Sequence, residues 1–237
     1  MKRLFNVRRW TRFVFFTFVA STVFVAVRIA LAPAVAPSSD GIIRVKGDYV
    51  LMLMSCILGA VAMMLPGFLI RRVNLNIPSF MIVVYALFLY CAIYLGEVRS
   101  FYYRVPHWDT ILHGFSGIGL GALGFSVVSL LNNSESITFR LSPVFVALFA
   151  FCFALALGVV WEIFEFTMDR LMLTNMQKHT LENGVQLVGQ GALLDTMKDL
   201  IVDASGAFFI STVGYVSLKY DKKWLEVFHI GRDQAKT

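Results

Sequence analysis

The chain has 237 residues, of which 58% are hydrophobic and 15% charged, with a formal net charge of +6. This composition and a mean hydropathy of +0.72 exclude an ordinary soluble domain. The basic residues flank apolar segments and form no separate basic domain, so the net charge reflects membrane topology. No nucleic-acid partner is expected.

Six stretches are each long and apolar enough to cross a bilayer, which takes about 20 residues of helix. In chain order they are residues 13–35, 49–70, 80–98, 110–131, 144–168 and 193–218. The sequence therefore predicts an all-α, polytopic membrane helical bundle of about six transmembrane helices. It forms a single integral-membrane domain over residues 1–237.

Lys and Arg concentrate in the N-terminal arm, at Arg71 and Arg72 after the second span, and in the C-terminal tail. Because basic residues prefer cytoplasmic loops, both termini are predicted to be cytoplasmic. The first span imitates a secretory signal peptide that would end at Ala34-Val35-Ala36. Its length and the following Pro37 favour a retained helix.

Ionisable side chains occur inside or against three of the later spans. Each costs several kcal/mol at bilayer depth unless it faces a partner, an ion or water. In the predicted topology all of them fall in the non-cytoplasmic half, so one buried polar site is predicted. The residues are Asp109, His113, Glu162, Glu165, Asp195, Asp199 and Asp203.

Helical spacing supports this convergence, because residues three or four apart share a face. Asp109 and His113 are four apart, Glu162 and Glu165 three apart, and the aspartates of the sixth span step by four. Asp109 and Asp195 have an alternative interpretation as helix N-caps. A stripe of glycines in the fourth span, at 114, 117, 121 and 124, predicts close helix packing.

Three motifs carry a family resemblance: HWDTILHGFSG at residues 107–117, WEIFEF at 161–166 and DTMKDL at 195–200. Together they resemble the YjdF-like family of bacterial inner-membrane proteins, a family of unknown function. The Asp109-x-x-x-His113 opening of the fourth span is also similar to that of VanZ-like membrane proteins. The resemblance implies a multi-pass protein of the bacterial inner membrane, and the VanZ likeness implies a lipid-directed role.

The first functional hypothesis is an intramembrane enzyme that acts on a lipid or lipid-linked headgroup, by phosphoester hydrolysis or transfer. Carboxylates and imidazole supply acid–base groups and are ligands for a divalent metal ion, the one cofactor predicted. The candidate catalytic residues are Asp109, His113, Glu162, Glu165 and Asp199. The candidate metal ligands are Glu162, Glu165, Asp195, Asp199 and Asp203, and the candidate phosphate-binding residues are Arg28 and Lys198.

Two alternatives remain open on the sequence. The descending aspartates of the sixth span suit a proton- or cation-coupled transporter. A satisfied polar core suits a non-catalytic membrane scaffold. The segment between the last two spans, residues 174–192, is too polar to cross the membrane and too apolar for a water-exposed loop. It is predicted to be an interfacial or re-entrant loop that acts as a lid.

Overall fold

The computed structural model describes residues 6–32, 44, 46–132, 141–181, 184–222, 224, 226–228 and 230–232. The proposed cleavage sequence at Ala34-Val35-Ala36-Pro37, the arm before Asn6 and the tail after Arg232 lie outside the described residues. The predicted orientation of the termini therefore stays a prediction.

The described chain is mostly helical. Its helices are α1 (Val7–Leu31), α2 (Lys46–Ala62), α3 (Leu65–Arg72), α4 (Ser79–Leu89), a π-helix (Tyr90–Val98), α5 (Phe101–Arg104), α6 (Trp108–Asn132), α7 (Pro143–Met172) and α8 (Gln190–Lys219). A short 3-10 helix (Glu226–Phe228) precedes the C-terminal strand. Strands β1 (Leu75–Asn76) and β2 (Gly231–Arg232) pair antiparallel.

Six helical segments of the described chain are long and apolar enough to cross a membrane, as predicted. The first begins at Val7, six residues before the prediction, because Asn6 caps it and accepts a bond from the Arg9 amide. The second is interrupted at Met63–Met64, where Pro66 at the start of α3 lacks the amide that a continuous helix requires.

The fifth and sixth spans are also longer than predicted. α7 continues to Met172 and α8 begins at Gln190, where the polar residues at their ends had suggested loops. Asp195 therefore lies within α8, so its predicted role as an N-cap is wrong. Asp109 is the second residue of α6 and likewise does not cap it.

The chain divides into two compact units, and α4, α6, α7 and α8 contribute residues to both. Unit 1 comprises residues 1–63, 86–109 and 161–198, and unit 2 comprises residues 64–85, 110–160 and 199–237.

The core of unit 1 is built where α1 packs on α2 and on the π-helix. Val25, Tyr49, Met52 and Cys56 form one buried cluster, and a second forms around Phe18. These side chains lie on the inward stripes of α1 and α2, whereas the rest of each helix surface remains apolar and exposed. Helices that are apolar on both their buried and their exposed sides are expected where lipid replaces water as the solvent.

The core of unit 2 lies between α6 and α7, where Phe125 and Val128 pack against Val146 and Ala150. The chain after α8 folds back onto the same unit. The Phe228 ring meets the Phe80 ring edge-on with centroids 5.4 Å apart, and the Phe228 carbonyl accepts a bond from the Ser126 hydroxyl.

Candidate functional site

The acidic stripe of α7 is buried in unit 1. Glu162, Glu165 and Asp169 are 4%, 9% and 8% exposed, whereas the neighbouring Ile163 and Phe166 are more than half exposed. The Trp161 indole nitrogen donates to Glu165 Oε1 at 2.9 Å. The spacing of three and four residues thus places the acids on one inward face, as the sequence predicted.

Asp169 organises the loop that follows α7. Its Oδ1 accepts bonds from the Thr174 hydroxyl at 2.6 Å and the Met176 amide at 2.7 Å. Its Oδ2 accepts from the Gln177 amide at 3.0 Å and lies 3.4 Å from His179 Nδ1. A buried carboxylate that satisfies several donors in this way fixes the path of the chain.

This loop delivers Lys178 to two acidic residues of unit 1. The Lys178 ammonium forms ion pairs with Asp109 near the start of α6 and with Asp195 in the second turn of α8, the latter at 3.3 Å. Lys178 adopts a left-handed backbone conformation with φ 46. An αL lysine is uncommon, and this one is held by ion pairs to two helices. Asp109 and Asp195 therefore have a shared cation within the protein.

A second polar cluster lies in unit 2, on α6 and α8. His113 Nδ1 is 3.2 Å from Asp203 Oδ2, and His113 Nε2 is 3.9 Å from Asp199 Oδ2. The Ser116 hydroxyl donates to Asp203 Oδ1 at 2.9 Å. His113, Asp199 and Asp203 are 8%, 1% and 2% exposed. We refer to these four residues as the histidine cluster.

Glycines bring the two helices of the histidine cluster together. A Cβ added at Gly117 would lie 2.5 Å from the Asp203 carbonyl oxygen, and one at Gly206 would lie 2.8 Å from the Gly114 carbonyl oxygen. The backbones of α6 and α8 are thus in direct contact, which confirms the predicted role of the glycine stripe. His113 and Ser116 reach Asp203 because no side chain separates the helices there.

Helix α7 also approaches the Asp203 carboxylate, next to α6 and α8. A Cβ added at Gly158 of α7 would lie 2.7 Å from Asp203 Oδ2. Any larger residue at this position would therefore displace the carboxylate from His113.

The contacts of the two His113 ring nitrogens match those of a metal-binding histidine. In the tautomer in which His113 Nδ1 donates to Asp203, the Nε2 lone pair faces Asp199. Metal-bound histidines usually donate their second ring nitrogen to a carboxylate in this manner. The 3.9 Å separation of Nε2 and Asp199 Oδ2 is too long for a hydrogen bond. The ligand atoms of one tetrahedral ion lie about 3.3–3.5 Å apart, so a bound ion would draw these two atoms slightly together.

The structure distributes the predicted site residues between the two units. Unit 2 contains His113, Asp199 and Asp203 in contact. Unit 1 contains Asp109 and Asp195 on Lys178, and Glu162 and Glu165 on α7. The predicted phosphate ligands also belong to unit 1: Arg28 donates to the Tyr49 hydroxyl at 2.9 Å, and Lys198 is exposed on α8.

Sequence reasoning missed Lys178 and Asp169. For Lys178, charge balance offers a signal, because acids near the membrane boundary require a nearby cation. The role of Asp169 as an acceptor for the following loop has no sequence signature.

The family model described as "Predicted membrane protein (DUF2238)" matches residues 11–220. An uncharacterized protein of Thermotoga maritima is 28% identical over 122 residues, which are 51% of this chain and 54% of the relative. The chain thus spans about half the length of that curated relative. No solved structure matches the chain.

Proposed function

Since the chain belongs to the DUF2238 family of predicted membrane proteins, and is a multi-pass integral membrane protein, we propose a function from its histidine cluster. The cluster binds a divalent metal ion and uses it to act on the headgroup of a lipid or lipid-linked substrate in a bacterial inner membrane. The observation that carries this proposal is the position of the His113 ring, with Asp203 at Nδ1 and Asp199 opposite Nε2.

The proposed ligands are His113 Nε2 and a carboxylate oxygen of Asp199. Asp203 and Ser116 hold the ring and take no part in direct binding. Imidazole with carboxylate suits Zn²⁺ or Mn²⁺, and positions not taken by protein remain for water and substrate oxygens. When bound, such an ion polarises a phosphoryl oxygen and lowers the pKa of a bound water.

The lipid substrate class follows from where the cluster lies. His113, Asp199 and Asp203 all belong to helices long and apolar enough to cross a membrane, and all are buried. A substrate that reaches them is therefore one that partitions into the bilayer or its boundary. Phosphoester hydrolysis or transfer is the reaction that this metal chemistry supports best.

Metal analysis of the purified protein tests the proposal. We expect one bound Zn²⁺ or Mn²⁺ in the wild type and its loss in His113→Gln and Asp199→Asn. Asp195→Asn is the matched control, one turn earlier on α8, and should keep the ion because its partner is Lys178. Metal-free wild type, or equal loss in all three variants, would contradict the assignment.

The activity itself is tested with lipid phosphates. Phosphatidic acid and a polyprenyl diphosphate in mixed micelles serve as probes, and released phosphate is measured. Turnover that disappears in His113→Gln and persists in Asp195→Asn supports the reaction. A wild-type protein that binds metal and turns over neither probe argues against phosphoester chemistry and leaves the metal site standing.

Transport of the same cation is the second candidate function, and it is favoured by the burial of the cluster inside spans. It predicts that Mn²⁺ quenches a dye trapped in proteoliposomes containing the wild type, and that Asp199→Asn stops the quenching. Absence of wild-type quenching would remove this candidate.

A further inference from the structure

The segment between α7 and α8 carries a surface that the proposed reaction does not use. We infer that residues 180–181 and 184–188, here called the loop arm, lie in the boundary layer of the lipid bilayer, with Leu181, Val185 and Val188 in contact with lipid. This inference concerns unit 1 alone and is independent of the metal site.

The base of the loop arm is fixed to the protein. Asp169 binds the Met176 and Gln177 amides, and the Gln177 side chain donates to the Thr196 hydroxyl of α8 at 2.7 Å. Lys178 adds its ion pairs with Asp109 and Asp195. The polar residues at the base are thus engaged by helices of unit 1, which leaves the arm as the outward part.

Backbone hydrogen bonds link described residues of the loop arm to one another and to its base. The Leu181 amide donates to the Val185 carbonyl at 2.9 Å, and the Leu187 amide donates to the His179 carbonyl at 2.8 Å. Thr180 and Gln186 form an antiparallel bridge. Such pairing lowers the cost of placing an irregular segment where water is scarce.

The apolar side chains of the arm point away from the protein. Leu181, Val185 and Val188 are 47%, 54% and 84% exposed. Each would cost free energy in water, because transfer of an aliphatic side chain from water to an apolar environment is favourable. Leu187, in contrast, is half-buried, so the arm has one face toward the protein and another that is uncovered.

Continuity with the membrane surface identifies lipid as the occupant. The exposed apolar surface begins just after α7 at Leu173, whose side chain is 84% exposed. It continues on α8 at Leu193 and Leu194, which are 53% and 67% exposed. These residues border helices that cross the membrane. The loop arm lies between them in the chain and extends the same apolar surface, as interfacial segments do.

Site-directed fluorescence in lipid nanodiscs tests the inference on the full chain. Cys56, Cys91 and Cys152 are first replaced by alanine, and a cysteine at position 185 or 186 is labelled with an environment-sensitive fluorophore. Val185→Cys should give blue-shifted emission that is lost with nitroxide-labelled lipids. Gln186→Cys is the matched control, since the polar side chains of an interfacial segment face water and the headgroups. Its emission should be lost with aqueous iodide.

Three results would overturn the inference. Quenching of both positions by iodide, with no effect of nitroxide lipids, would place the arm in water. Failure of both quenchers at position 185 would mean that protein covers it. Equal quenching of both positions by nitroxide lipids, with no effect of iodide, would mean that the arm is immersed in the hydrocarbon core and does not lie at the boundary. Metal content, measured in the same samples, reports separately on the histidine cluster.

Discussion

His113 Nδ1 and Asp203 Oδ2 lie 3.2 Å apart although ninety residues separate them in the chain. This contact depends on backbone-to-backbone packing of α6 and α8, because the carboxylate is reached across glycine positions. The chemistry of the histidine cluster is therefore inseparable from the packing of unit 2.

Gly117→Ala should destabilise the protein. The added Cβ would lie 2.5 Å from the Asp203 carbonyl oxygen. The backbones of α6 and α8 would have to move apart, which lowers the free energy of unfolding by about 1–3 kcal/mol. Gly119→Ala is the control on the same helix, where a Cβ meets nothing within 4 Å. It should be neutral or stabilising by about 0.5–1 kcal/mol. Thermal unfolding in detergent measures both, and a drop of equal size in the two variants would contradict this packing.

Gly158→Ala should weaken metal binding more than it weakens the fold. Its Cβ would lie 2.7 Å from Asp203 Oδ2, the oxygen that faces His113. Loss of such a supporting contact lowers metal affinity by about 10–100-fold. Titration with Mn²⁺ or Co²⁺ measures this, and unchanged affinity would show that Asp203 does not orient the ring.

Lys178→Met should lower stability by about 1 kcal/mol, because Asp109 and Asp195 lose their shared ammonium partner while solvent partly screens both carboxylates. Lys178→Arg should restore most of the loss, since a guanidinium also binds two carboxylates. The difference should shrink at high salt, where exposed charge pairs are screened. If arginine and methionine behave alike in thermal unfolding, the ion pairs do not stabilise the loop.

Asp169→Asn should loosen the loop after α7 and leave the histidine cluster folded. The amide retains one acceptor oxygen, so some of the contacts to Thr174, Met176 and Gln177 are lost. A buried donor without its acceptor costs about 1–3 kcal/mol. Hydrogen exchange should rise in residues 174–179 and stay unchanged in residues 200–214. Protection that is uniform across both segments would contradict a local role.

Much of the architecture could be predicted from local sequence. Apolar runs of sufficient length gave six spans, because membrane thickness sets a minimum helix length. The i, i+3 and i, i+4 spacing correctly placed Glu162 and Glu165 on a buried face, and the glycine stripe of α6 correctly indicated a close helix contact. The resemblance to a family of membrane proteins of unknown function was confirmed by the family match over residues 11–220, whereas the VanZ likeness stays a prediction.

The partners of each ionisable residue could not be predicted in the same way. Helical periodicity shows which side chains share one face of a helix. Which residues those side chains contact depends on the rotation of the helix and on loops of irregular conformation. Lys178 illustrates this limit, because its left-handed backbone and its two acidic partners arise from hydrogen bonds that Asp169 makes with the intervening loop. The helix ends were also misjudged where polar residues continue a helix, as at both ends of the α7–α8 loop.

The direct backbone contact of α6 and α8 restricts how unit 2 can move. Gly117 and Gly206 each lie against the main chain of the opposite helix. Sliding or rotating one helix would bring a neighbouring side chain into collision with that main chain. The two helices are therefore expected to keep their relative position. Conformational change that admits a substrate or an ion in this unit must therefore come from its other elements, which move against this pair.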